Sequence, residues 1–224
     1  MDNLKHLFIT LQDNLGSVKE VSNEAYKGTT SIRCIQIYDA SYDGDYQSEV
    51  VKNGVYSRGD EGFYGFAFRL QPTWEFTSQS YILAQFRANF GCTKLVPTSR
   101  IWLVGNQLYS RVNTGSPCSA TATVFPNLAT VSADDWHRVV IHASWKSGAT
   151  GFYKVWFDGE KVLDVSNIAT TVADDTPLNF RIGLNAISWT NDGGLVGTQS
   201  TRKVWIDQIG AGSTYEDAGP GQWT

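Results

Sequence analysis

The feature that most restricts what this chain can fold into is a rhythm. Short stretches of alternating polar and apolar residues recur along nearly all of its 224 residues, divided by Gly, Asn, Asp, Pro and Ser. Period-two stretches of this length read as strands half-buried in a sheet. A dozen of them, with hardly any helix-period segment, leave two stacked antiparallel sheets as the natural architecture. The strands expected are residues 30–38, 45–51, 62–70, 81–88, 99–104, 107–113, 121–125, 136–145, 151–157, 161–165, 177–184 and 201–209. Asp158-Gly159 and the run "VGNQLY" read as hairpin turns. Ser132 reads as the cap of a helical turn in "SADDW", and the Gly/Pro-rich "STYEDAGPGQWT" as a run over the surface. No repeat or linker divides the chain, so one all-β domain over residues 1–224 is expected.

One strand poses a functional question. In "SYILAQFRANF", residues 80–90, strict alternation puts Tyr81, Leu83, Gln85 and Arg87 on one face and Ile82, Ala84 and Phe86 on the other. Three further strands carry similar polar faces. "DYQSEV" groups Asp45, Gln47 and Glu49; "QLYSRVN" groups Gln107, Tyr109, Arg111 and Asn113; "NFRIGLNAISW" groups Asn179, Arg181 and Asn185. A single such face is the ordinary wet side of an antiparallel sheet. Four in one sheet would combine into a groove of hydrogen-bond donors suited to clamping carboxylates. Eight Trp and ten Tyr leave rings to spare for stacking against sugars. Trp102, Trp189 and Tyr109 are the candidates, with core packing the first reading for each Trp taken alone.

Several chemistries are disfavoured. A net charge of −4 argues against nucleic acid or an anionic membrane as partner. No apolar run approaches the ~18 residues of a membrane span, and no secretory leader is visible after Met1. His6, His137 and His142 lack zinc-site spacing, and no G-x-S-x-G elbow is present. Glu49, Glu61 and Glu75 do not fall on one strand face as a glycosidase pair would, which makes hydrolysis the weaker reading. β-Elimination on a uronic-acid polymer needs no acid pair. Donors neutralise the carboxylate so that the proton on the adjacent ring carbon becomes removable, and a base and an acid complete the step. Cys34 reads as a small buried strand residue, while Cys92 and Cys118, both in loop sequence, are expected to form a disulfide in an oxidising compartment.

The runs "SEVVKNGVYSRGDEGFYGFAFRLQPTWEF", "SYILAQFR", "IWLVGNQLYSRV", "WHRVVIHASWKS", "FYKVWFDG" and "VWIDQIGAG" resemble the secreted fungal glucuronan lyases, over residues 31–223. More distantly, "QSEV", "QFR" and "FRIGLN" stand where jelly-roll alginate lyases carry R-x-E, Q-x-H and K-A-G-x-Y motifs. The resemblance implies a concanavalin-like β-jelly roll and a secreted, monomeric, endo-acting lyase on an acidic polysaccharide, a β-1,4-linked polyuronate. It also implies a structural Ca²⁺, for which Asp2, Glu24 and Asp207 are the expected ligands. Gln85 becomes the carboxylate-neutralising residue. The family's His and Tyr fall at Gln47 and Asn185, side chains that donate hydrogen bonds but carry no proton near neutral pH. Tyr109, Tyr81 and Arg87 are then the substitute candidates for proton transfer. Arg87, Arg111, Glu49, Tyr81, Trp102 and Trp189 are expected to meet substrate. A non-catalytic carbohydrate-binding protein using the same groove is the alternative.

Overall fold

A computed structural model describes residues 9–92 and 97–219. In chain order its strands are β1 (Ile9–Gln12), β2 (Ser17–Val21), β3 (Ser31–Ile37), β4 (Gln47–Tyr56), β5 (Glu61–Leu70), β6 (Ser80–Arg87) and β7 (Ser99–Val104). They continue with β8 (Gln107–Thr114), β9 (Thr121–Thr130), β10 (Trp136–Ser144), β11 (Gly151–Phe157), β12 (Glu160–Ile168), β13 (Leu178–Asn185) and β14 (Thr201–Gly212). Single-turn helices α1 (Ser188–Asn191) and α2 (Tyr215–Ala218) flank β14. Two seven-stranded sheets form, ordered β1-β4-β13-β6-β7-β8-β9 and β12-β11-β10-β5-β14-β3-β2. These are the two stacked antiparallel sheets that the alternation points to, in the jelly-roll arrangement that the resemblance implies.

The inward faces can be read from bonds that cross between the sheets. Ser99 of β7 and Ser110 of β8 each share a hydrogen bond with the Tyr153 hydroxyl of β11, at 3.0 and 2.9 Å. Ser48 of β4 donates to the Ile35 carbonyl of β3 at 2.6 Å. Between the sheets Tyr56 stacks on Trp145 with centroids 4.0 Å apart, Phe86 stacks on Phe180 at 4.6 Å, and the Trp145 indole donates to the Tyr64 hydroxyl at 3.1 Å. Much of the aromatic surplus is therefore core, where rings bury large apolar areas in offset and edge contacts.

Four expectations change. β1 and β2 were not anticipated, because "ITLQ" and "SVKEV" are short, half-exposed edge strands with little apolar pattern. Ser132 caps no helix; its hydroxyl donates to Asp135 at 2.7 Å in a bend that runs directly into β10. The C-terminal run contains α2, closed by a capping box between Thr214 and Asp217. α2 lies so close over β5 that a Cβ on Gly65 would come within 2.0 Å of the Ala218 carbonyl oxygen. Finally, β6 is bulged. The pairing with β7 slips between Ile82 and Ala84, so strict alternation breaks there.

The disulfide joins Cys92 to Cys118, with Cα atoms 5.3 Å apart, and Cys34 is free and fully buried. Among the described residues, no helix is long and apolar enough to cross a membrane.

Candidate active site

With the inward faces fixed, the outward face of the first sheet follows from register. Val51 of β4 lies opposite Arg181 of β13, which lies opposite Gln85 of β6. Gln85 lies opposite Arg100 of β7, and Arg100 opposite Arg111 of β8. A row of three arginines and one glutamine thus crosses four adjacent strands. The next row toward the strand ends reads Gln47, Asn185, Ile82, Trp102, Tyr109. On the other side Arg87 pairs with Asn179.

The bulge decides what β6 contributes. It carries Ile82 outward, into the row with Trp102 and Tyr109, and turns Tyr81 inward. Tyr81 is buried, receives the Trp189 indole N–H at 3.3 Å, and lies under the Arg202 guanidinium of β14 at 5.0 Å. Tyr81 is therefore neither a proton carrier nor a substrate contact. Trp189 is also removed from the surface: 1% exposed, it packs edge-on against Tyr38, Tyr46 and Tyr81. Trp102 and Tyr109 remain on the outward face, partly exposed, with ring centroids 5.5 Å apart.

At the centre, Gln85 Nε2 donates to Glu49 Oε1 at 2.8 Å. Glu49 is fully buried, and burial pushes its carboxyl above the ordinary glutamate range, opposed by the Gln85 bond and then by Arg181 and Arg87. The pair orients the amide of Gln85. Gly183, opposite Glu49, keeps β13 close to β4: it has φ +153°, and a Cβ there would lie 2.2 Å from the Ser48 carbonyl oxygen. Gln47 is held at both ends of its amide. Arg181 Nη1 donates to its Oε1 at 3.3 Å, and its Nε2 donates to Asp45 at 2.6 Å. The Asn185 oxygen accepts from the Ile187 N–H at 3.0 Å, an Asx turn that ends β13. These two positions brace backbone and arginine. Neither side chain can act as a base.

The arginines are short of anions. Among the described residues, no acid lies within ion-pair distance of Arg87, Arg100, Arg111 or Arg181, and the Nε of each is buried without a partner. Burial and the neighbouring cations Arg111 and Arg87 pull Arg100 down to about 9, while Arg87 and Arg111 are lowered chiefly by burial. Desolvated cations without counter-charges are costly, which suits a surface completed by an anionic ligand. Arg100 escaped the sequence reading although the signal was present. Ser99, Ile101 and Leu103 are inward residues of a regular strand, so Arg100 and Trp102 must point out.

Other expected residues lie elsewhere. Asn113 donates to the Pro97 carbonyl at 2.5 Å, and Asn179 accepts from the Gly54 N–H at 3.0 Å, both structural roles. His137 is tied to Asp158 at 2.7 Å and His142 to Glu61 at 3.0 Å, both on the second sheet. His6 and Asp2 lie outside the described residues. Of the acids named for calcium, Asp207 and Glu24 are among the described residues. Asp207 accepts the N–H groups of Tyr26, Lys27 and Gln208, and Glu24 is paired with Arg69. Among the described residues no group of three or more acid, His or Cys side chains is placed to hold a metal, and calcium chemistry enters no step below.

Comparison with known proteins places this geometry in context. The family described as "Polysaccharide lyase" matches residues 2–210. No curated protein sequence matches. Among solved structures, the endo-β-1,4-glucuronan lyase of the fungus Trichoderma reesei is 47% identical, with TM-score 0.95 over 98% of this chain and 96% of that one. A cellulose-induced protein shares 14% identity and TM-score 0.63, covering 94% and 93%. An alginate lyase of Aplysia kurodai shares 9% and 0.59, covering 88% and 87%. These last two likenesses concern the fold alone.

Proposed function

This chain belongs to the polysaccharide lyase family, and from that premise we propose that the arginine row is the substrate site of an endo-acting lyase that cleaves β-1,4-linked polyglucuronate by β-elimination. The observation carrying this reading is the Gln85–Glu49 pair set among four arginines without anionic partners. The 47% identity to the glucuronan lyase of T. reesei supports the choice of polymer.

In the proposed step, Gln85, with Arg181 beside it, binds the carboxylate of the sugar whose ring proton is to be lost. Charge that develops on that carboxylate as the proton leaves is met by fixed donors, which is where such donors accelerate a reaction most. The adjacent C–H bond breaks with its proton passing to the Tyr109 oxygen as phenolate, the released electron pair forms a ring double bond, and the glycosidic C–O bond breaks as Tyr109 returns that proton to the leaving oxygen. Tyr109 is the proposed proton carrier. It lies two strands from Gln85 and two residues farther along β8 than Arg111, about 12 Å across the sheet at ~4.8 Å per strand and ~3.3 Å per residue, which leaves room for a sugar ring between. The disulfide favours an oxidising, extracellular setting.

The test is incubation with glucuronan, following ultraviolet absorbance from unsaturated ends. A second reading, a carbohydrate-binding protein on a lyase fold, is favoured by one observation: among the described residues this face carries no histidine, and Gln47 and Asn185 are engaged structurally. That reading predicts saturable binding of glucuronan with no new chain ends.

A further inference from the structure

Direction is built into the cationic face. Along β6, outward donors extend only from Arg87 to Gln85, because the next outward position past the bulge is the apolar Ile82. Its partner across β13 is Asn185, whose oxygen is taken up by the turn at Ile187, and Gly183, between Arg181 and Asn185, has no side chain. Across the strands the donors continue without a break through Arg181, Gln85, Arg100 and Arg111, three strand spacings or about 14 Å. Arg100 stands at the middle of that run. On one side is the amide of Gln85, on the other Arg111, and the Trp102 ring lies 6.0 Å from its guanidinium carbon.

We propose that Arg100 is a specificity-determining residue that receives the carboxylate of the sugar next to the one held at Gln85, so that the polymer crosses the strands and successive sugars must each be acidic. This rests on reading the face as a polyuronate site and adds the residue that reads a second carboxylate, favouring uronans with carboxylates on consecutive residues over polymers in which neutral sugars alternate with acidic ones. The planar fork of a guanidinium fits a carboxylate with two parallel hydrogen bonds, and no acid of this chain competes for it among the described residues. Trp102 shields one side, so the pair forms partly out of water, where it is stronger.

The experiment compares wild type, Arg100→Met and Arg100→Lys by stopped-flow tryptophan fluorescence, which reads binding before turnover. The probes are a glucuronic acid hexamer and a hexamer of alternating glucuronic acid and neutral sugar. Arg100→Met is expected to weaken the all-acid hexamer about 10- to 100-fold, the worth of a charge-assisted hydrogen bond. It should change the alternating hexamer less than about threefold, and Arg100→Lys should recover only part of the loss because it lacks the fork. Equal losses on the two hexamers, no loss on either, or full recovery with lysine would overturn the assignment. Failure of the lyase reading looks different: wild type binds the all-acid hexamer with this preference and yields no unsaturated ends.

Discussion

Replacement of Gln85 by leucine separates the two jobs assigned to this residue. Gln85 is 2% exposed, and leucine has nearly its volume, so packing is kept while the amide is lost. Glu49, fully buried, then loses the donor 2.8 Å from its Oε1. Leaving a buried acceptor unsatisfied costs about 1–3 kcal/mol. For a chain of this size each kcal/mol moves the melting midpoint by about 2–4 °C, so a fall of roughly 2–12 °C is expected. The sign of the pH dependence follows from Glu49. The Gln85 bond lowers its folded pKa against the larger upward push of burial. The stability that bond contributes is therefore present while Glu49 is charged and fades as pH falls through its folded pKa, which lies above the usual glutamate value. The gap in melting midpoint between wild type and Gln85→Leu should narrow on acidification. Catalysis suffers separately: removing one preorganised donor to developing charge costs about 10²- to 10³-fold in kcat. Scanning calorimetry across pH and the initial rate of ultraviolet absorbance on glucuronan read the two effects. A variant that melts early but keeps more than a tenth of wild-type kcat would refute the neutralising role and leave Gln85 a structural partner of Glu49.

Other consequences follow from the same geometry. Tyr109→Phe should lower kcat at least about 100-fold, the contribution of a positioned proton carrier, with KM nearly unchanged; a rate near wild type would move proton transfer to another group. Replacing Cys92 and Cys118 by alanine opens a loop closed across 26 positions, worth about 3–4 kcal/mol in the chain-entropy account. Thermal unfolding should then begin roughly 10 °C lower, and an unchanged midpoint would mean the loops are held by other contacts.

Strand positions were legible in the sequence because period two survives wherever one face is buried; β7 and β11 end at the residues the alternation marks. Gln85, Glu49, Arg87 and Arg111 were legible for the same reason. What alternation cannot carry is an inserted residue. The bulge in β6 exchanges Tyr81 for Ile82 on the outward face, and no local composition announces it, because the extra residue is accommodated by partners distant in sequence, β7 and β13. Trp189 was misjudged because α1, the turn that folds it inward, is four residues long and leaves no periodic trace. The counter-ion state of the arginines likewise depends on which strands become neighbours. Four cations in four separate segments look like solubility until the sheet order brings them into one face where, among the described residues, no acid lies within ion-pair distance of them.

The central claim is that this face, with Gln47 and Asn185 where proton carriers are expected, still eliminates. Mass analysis of the fragments from glucuronan tests it directly, because elimination leaves one fragment of each cut lighter by one water than hydrolysis would. The account predicts oligosaccharides with unsaturated non-reducing ends. Saturated fragments, or intact polymer bound at saturation by the folded protein, would contradict it.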